Sequence, residues 1–156
     1  MAKMNEELGD LLKDPEQFIS RLTIMHKQRQ RLSSFDLNEP QKKLLEVLKT
    51  SNRVIILKAR QMGISTLVRG WHFWQTYMAS QPKQYAVISH TRDSAEELHR
   101  MEKTFYDNLP VQLRRPLSKS SSRTLTFEDS GATVRTHTAS GKGGTRSFAM
   151  NSVHLS

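Results

Sequence analysis

Apolar residues recur along this chain at two spacings, and each spacing predicts an element. Phe18, Ile19, Leu22 and Met25 share one helical face behind Asp14 as N-cap, Pro15 at the first helical position and Gln17 at the capping-box position. That helix is expected to run into the basic stretch His26 to Arg31, either a solvated cation-rich helix end or a nucleic-acid contact. Asn38 caps a second predicted helix whose buried side is Leu44, Leu45, Val47 and Leu48. Val54-Ile55-Ile56-Leu57 is a short β-branched run bounded by charge, expected as a strand buried on both faces. Leu67, Val68, Trp71, Trp74 and Met78 then mark a helix from about Ile64 to Met78, an aromatic stripe read as core rather than as a base-stacking platform.

Tyr85 to Ser89 reads as the next strand, and Ser94 to Asn108 as a helix burying Ala95, Leu98, Met101 and Phe105. Two prolines, two arginines and a serine cluster predict a surface loop from Pro110 to Ser122. Arg123 to Phe127 and Thr133 to Thr136 flank Asp129-Ser130-Gly131, a hairpin signal. Val153-His154-Leu155 opens one further strand. Strand and helix alternate with one hairpin inserted, which argues for α/β with a largely parallel sheet flanked by helices. Two parts are expected, an N-terminal helical segment over 1–34 and the α/β domain over 35–156.

Composition narrows the chemistry. The 156 residues hold 36% apolar and 25% charged positions, in the range of a globular domain. No cysteine is present, which excludes a disulfide framework and a Cys-ligated zinc site. The longest purely apolar run, 54–57, is too short to span a bilayer. The polar, acidic start Met1 to Glu7 reads as neither a signal nor a transit peptide. Lysine and arginine total 24 against 15 acids, a net charge of +9 that favours a polyanionic partner by counterion release. Simple solubility is the plain alternative.

The informative segment is Lys58-Ala59-Arg60-Gln61-Met62-Gly63-Ile64-Ser65-Thr66, between a predicted strand and a predicted helix. There, backbone N–H groups and a helix N-terminus can hold phosphate. Gly63 lets backbone approach a ligand, and the Ser65 hydroxyl sits where it can reach Mg²⁺, with Thr66 as its neighbour. Against G-x-x-x-x-G-K-[ST] the segment departs twice, with Lys58 in the first glycine position and Ile64 in the lysine position. The physical requirement is a cation near the β- and γ-phosphates, which the flexible stem of Lys58 can supply from the other end of the loop. Arg60 offers a second, bidentate cation.

Lys-x-Arg-Gln-x-Gly-x-Ser-Thr after a hydrophobic run resembles the deviant Walker A of large terminase subunits of tailed bacteriophages, in which the lysine often opens the loop. The resemblance covers nearly the whole chain from Phe35. Phe35 to Gln41 resembles the upstream adenine-reading motif, with Gln41 as the matching amide; a helix cap is the alternative reading of that glutamine. Ala86 to Thr91 resembles the second strand of these motors and of related helicases. Gly141-Lys142-Gly143-Gly144-Thr145-Arg146 resembles the segment before Walker B, with Arg146 where some members carry a trans-acting arginine finger; Arg60 is the other finger candidate. The strand over 149–155 matches the Walker B strand, with Ser156 in the penultimate position ahead of a glutamate.

The resemblance implies a P-loop NTPase of the ASCE, RecA-like kind, truncated at the Walker B strand, using ATP and Mg²⁺. It implies nucleotide binding with little turnover by this chain, duplex DNA, a portal protein and a small terminase subunit as partners, a homo-oligomeric ring for the longer protein, no membrane, and the cytoplasm of a bacterial host. Two other readings stand beside it: a helicase-type P-loop motor, and a basic nucleic-acid-binding module without ATP chemistry. The Glu-x-x-His at Glu96–His99 lacks the second copy that a di-iron bundle needs, and no serine sits in a G-x-S-x-G elbow.

Overall fold

A computed structural model describes residues 9–26, 30–57, 62–139 and 149–155. Residues 9–13 are helical, and α1 (Pro15–Ser20) follows. The Asp14 carboxylate accepts from the amides of Glu16 and Gln17, capping α1 as its sequence predicts. The helix does not continue to Met25. It stops at Ser20, and β1 (Thr23–His26) pairs antiparallel with β2 (Arg31–Ser34). Phe18, Ile19 and Leu22 do enter the core, but Met25 is half exposed. The β-branched pair Thr23 and Ile24 favours extended backbone where the apolar spacing alone suggests another helical turn.

α2 (Glu39–Thr50) has a full capping box between Asn38 and Gln41. It buries Leu44 and Leu45, whereas Val47 faces outward. α3 (Ile64–Met78), β3 (Gln84–Ser89) and α4 (Arg92–Asp107) follow, with Thr91 capping α4 through the Ser94 amide. After a 3₁₀ turn at Val111–Leu113 come β4 (Leu117–Ser120), β5 (Thr124–Phe127), β6 (Thr133–Thr138) and β7 (Ser152–Leu155). The expected loop over 110–122 therefore contains an edge strand, because β5 offers a free edge that Leu117 to Ser120 can pair.

β4 to β7 form one mixed sheet with β3, in the order β4-β5-β6-β3-β7. β6 and β7 lie parallel on either side of β3, and the hairpin pairs β4-β5 and β5-β6 are antiparallel. The β5–β6 turn works because Gly131 takes φ +67°, against the Pro82 ring. The fold is α/β, and α3 and α4 pack side by side on the sheet. Their core joins Leu67, Phe73 and Tyr77 of α3 to Phe105 of α4 and to Leu125, Phe127 and Val134 of the sheet. No helix among the described residues is long and apolar enough to cross a membrane.

The expected strand over 54–57 is a correction. It pairs with no strand among the described residues, although β7 ends the sheet with β3 as its one strand neighbour among them. Val54 and Ile56 lean on the core, while Ile55 and Leu57 are 93% and 96% exposed. The segment is covered on one side only.

Candidate functional site

α3 begins at the glycine that the phosphate-loop reading singles out. Gly63 is the N-cap, at φ 67° and ψ 12°, and among the described residues no side chain caps the first turn. The first turn also lacks an acidic residue, so the partial positive charge of the helix start meets no carboxylate from its own turn. Ile64 is buried and anchors that end in the core, while Met62, Ser65 and Thr66 are half-buried. Ser65 thus has its hydroxyl within the first turn. Lys58, Ala59, Arg60 and Gln61 lie outside the described residues, as do Arg146 and Ser156.

Gln41 is brought to this turn, though not as a free adenine reader. It is 3% exposed, its Oε1 accepts from the Asn38 amide at 2.9 Å, and its Nε2 donates to the Gly63 carbonyl at 3.0 Å. Both ends of the amide are therefore committed inside the protein. A Cβ on residue 63 would stand 2.6 Å from that Nε2, so the bare glycine is required twice, by its backbone angle and by this contact. The cap of α2 and the start of α3 are tied through one side chain.

Behind the turn runs a polar row of which the sequence pointed only to Ser65. Ser65, Arg69, His72 and Thr76 recur at helical spacing along α3, and the last three are buried. Arg69 forms an ion pair with Glu102 of α4, both fully buried. Burial pulls Arg69 down to about 9, which leaves it charged at neutral pH. Arg69 can only donate, so the Nδ1 of His72, 3.5 Å from Nη1, accepts, and the Nε2–H of His72 donates to Ser152 Oγ of β7 at 3.2 Å. Burial, reinforced by the neighbouring Arg69 and His154, keeps the His72 imidazole well below the ordinary histidine value. On the other side, His99 Nε2 lies 2.9 Å from the Ser121 carbonyl and its Nδ1 lies 3.1 Å from Glu102 Oε2. Burial lowers His99 as well. Ser152 and His72 do not make a nucleophilic dyad, because a cation occupies the position where an orienting carboxylate would have to stand. The available sign was the spacing of Arg69 and His72 within an otherwise apolar helix.

For a triphosphate, the uncapped start of α3 and the glycine at its N-cap fit. For Mg²⁺, Ser65 is the hydroxyl within the first turn, but no group of three acidic or histidine side chains able to hold a metal occurs among the described residues. β7 itself, Ser152 to Leu155, carries no carboxylate. Compared with known proteins, the chain matches no family model and no curated sequence.

Proposed function

We propose that the chain is the nucleotide-binding part of a DNA-translocating P-loop ATPase of the large-terminase type. The observation that carries this reading is the start of α3: a helix whose first turn has no cap and no acid, behind a left-handed glycine locked by Gln41. Such a terminus presents backbone N–H groups and a positive dipole end to an anion. In this reading Gly63 to Thr66 hold the β- and γ-phosphates by backbone amides, Lys58 and Arg60 supply the neutralising charge, and Ser65 contributes its hydroxyl to Mg²⁺. Such a metal would supply charge neutralisation at the phosphates. Gln41 acts on the loop rather than on the base, by fixing the carbonyl of Gly63. Arg146, like Arg60, is the candidate finger toward a neighbouring copy in a ring, and duplex DNA, a portal and a small subunit are the partners of the longer machine in a bacterial host cell.

The test is equilibrium binding of a fluorescent Mg²⁺-ATP analogue to the unmodified chain, to Lys58→Ala and to Gly63→Ala. Both substitutions should weaken binding at least tenfold. For Gly63→Ala the forced left-handed alanine should also cost about 1–2 kcal/mol of stability, read from a denaturant midpoint. Unchanged affinity in both variants, or no binding by the parent chain, would sink the nucleotide reading.

A further inference from the structure

β7 closes one end of the sheet, with β3 as its one strand neighbour among the described residues. Its side chains alternate in direction. Ser152 and His154 point toward α3, where both meet one residue. The Nε2–H of His72 donates to Ser152 Oγ at 3.2 Å, and the His72 and His154 rings stand edge to face with centres 6.2 Å apart. Val153 and Leu155 point the other way and are exposed. Parallel strands usually meet their helices through apolar side chains, whereas β7 meets α3 through a hydroxyl and two imidazoles. Ahead of β7, the Asn151 amide donates to the Gln84 carbonyl at 2.7 Å and Asn151 Oδ1 accepts from the Gln84 amide at 2.8 Å. Neither of those bonds involves a titrating group.

His72 itself is buried, and its neighbours leave no place for a second proton. From its own helix, Arg69 Nη1 stands 3.5 Å from Nδ1. From β7 come Ser152 and His154, and from β3 comes Tyr85, a neutral phenol whose hydroxyl donates to the Gln75 carbonyl at 3.4 Å. α4 contributes Glu102 and His99, but Glu102 pairs with Arg69 and also lies against His99 Nδ1. Among the described residues no carboxylate acts on His72 directly. A proton at Nδ1 would turn that atom from acceptor to donor, facing a guanidinium that can only donate. It would also set two positive charges side by side where one carboxylate is already paired. A proton at His99, by contrast, finds acceptors on both sides, Glu102 and the Ser121 carbonyl.

We infer that the contact between His72 and Ser152 is a proton-sensitive latch for β7: protonation of His72 frees Ser152 to Leu155 from the sheet while β3, β5 and β6 stay folded. Local release follows because it admits water to the imidazole and gives up little buried apolar surface, the apolar side chains of β7 being exposed already. The core around Phe73, Phe105 and Phe127 is untouched by it. Once wetted, His72 titrates near the ordinary value of 6.5, so acid favours the released state by up to about tenfold per pH unit below it. The latch requires no nucleotide and stands apart from the motor reading.

The experiment is hydrogen exchange of the unmodified chain, followed amide by amide by NMR at about pH 7.5 and about pH 5.5 and corrected for intrinsic exchange rates. The β7 amides bonded to β3 should lose roughly tenfold in protection over that interval, while those of β5 and β6 keep theirs within about twofold. His72→Gln retains an acceptor for Arg69 and a donor for Ser152 without a titrating group, so β7 protection should then change by less than about twofold. His154→Gln leaves the latch in place and should still release β7 in acid. Unchanged β7 protection in the parent, equal losses in β5, β6 and β7, a parent-like loss in His72→Gln, or a loss abolished by His154→Gln would each overturn the inference. Should His72→Gln fail to fold, the strand-by-strand comparison in the parent and in His154→Gln still decides it.

Discussion

Where α3 and α4 cross the middle of the sheet, Phe73 lies within 5.7 Å of Phe105 and 6.4 Å of Phe127, ring centre to ring centre. Arg115 closes that region by stacking on Phe127 and Tyr77 and by pairing with Asp129. On β7 and on the segment ahead of α3 the picture reverses: Val153 and Leu155 are 44% and 73% exposed, and Ile55 and Leu57 almost wholly so. The centre has its apolar surface covered, and the margin has large apolar side chains left exposed. Stability in this molecule is therefore concentrated in the α3–α4–β5–β6 region. The phosphate-loop candidate sits at the join, anchored through Ile64 to the centre and preceded in the chain by the poorly covered segment.

The sharpest way to break this contrast is at the buried ion pair. Glu102→Ala leaves the Arg69 guanidinium buried without its counter-charge and should cost about 3–5 kcal/mol, measured by urea denaturation. Arg69→Met/Glu102→Met should recover most of that loss, because two apolar side chains of similar length need no desolvation. A double variant as unstable as the single one would show that the pair does more than satisfy itself.

Acidification should act on the same region. The unfolded chain takes up a proton at each histidine near pH 6.5, while folded His72 resists protonation to well below that value because it is buried. Protons thus favour the unfolded state, and stability is flat above the unfolded value and declines as pH falls below it, by up to about 1.4 kcal/mol per pH unit for one such group. Thermal midpoints between pH 8 and 5 would check this, and His72→Gln should lessen the slope. A midpoint that rises on acidification would refute the neutral assignment of His72.

The smallest effect is expected at the margin. Leu57→Ser should change stability by less than about 0.5 kcal/mol, since the side chain is already in water. A loss of 2 kcal/mol or more would mean that the margin is covered in solution.

Much of the centre was legible from the residues. The spacing of Leu67, Val68, Trp71 and Trp74 names α3 to its terminal residues, and Asp129-Ser130-Gly131 names the β5–β6 turn. Asn38 is readable as the cap of α2, and Gln41 completes a capping box with it. The failures share a cause. Phe18, Ile19, Leu22 and Met25 are spaced like a helix, but whether Met25 finds a partner depends on tertiary neighbours, and the chain turns into β1 instead. Val54 to Leu57 are apolar enough for a central strand, yet composition does not reveal whether a sheet edge takes them up. At the candidate site, Gly63 was readable because only glycine suits that backbone angle. The commitment of Gln41 to the Gly63 carbonyl, 22 positions away, and the meeting of Arg69 with Glu102 belong to the fold and leave no local trace.

Both tryptophans of the chain, Trp71 and Trp74, lie on α3, with ring centres 5.0 Å apart. The indole N–H of Trp74 donates to the Leu12 carbonyl at 2.9 Å, so the residues ahead of α1 are latched to the helix that starts at the phosphate turn. The molecule therefore carries its own optical reporter: emission excited at the indole band originates solely from that helix, and its colour follows the wetting of these two indoles.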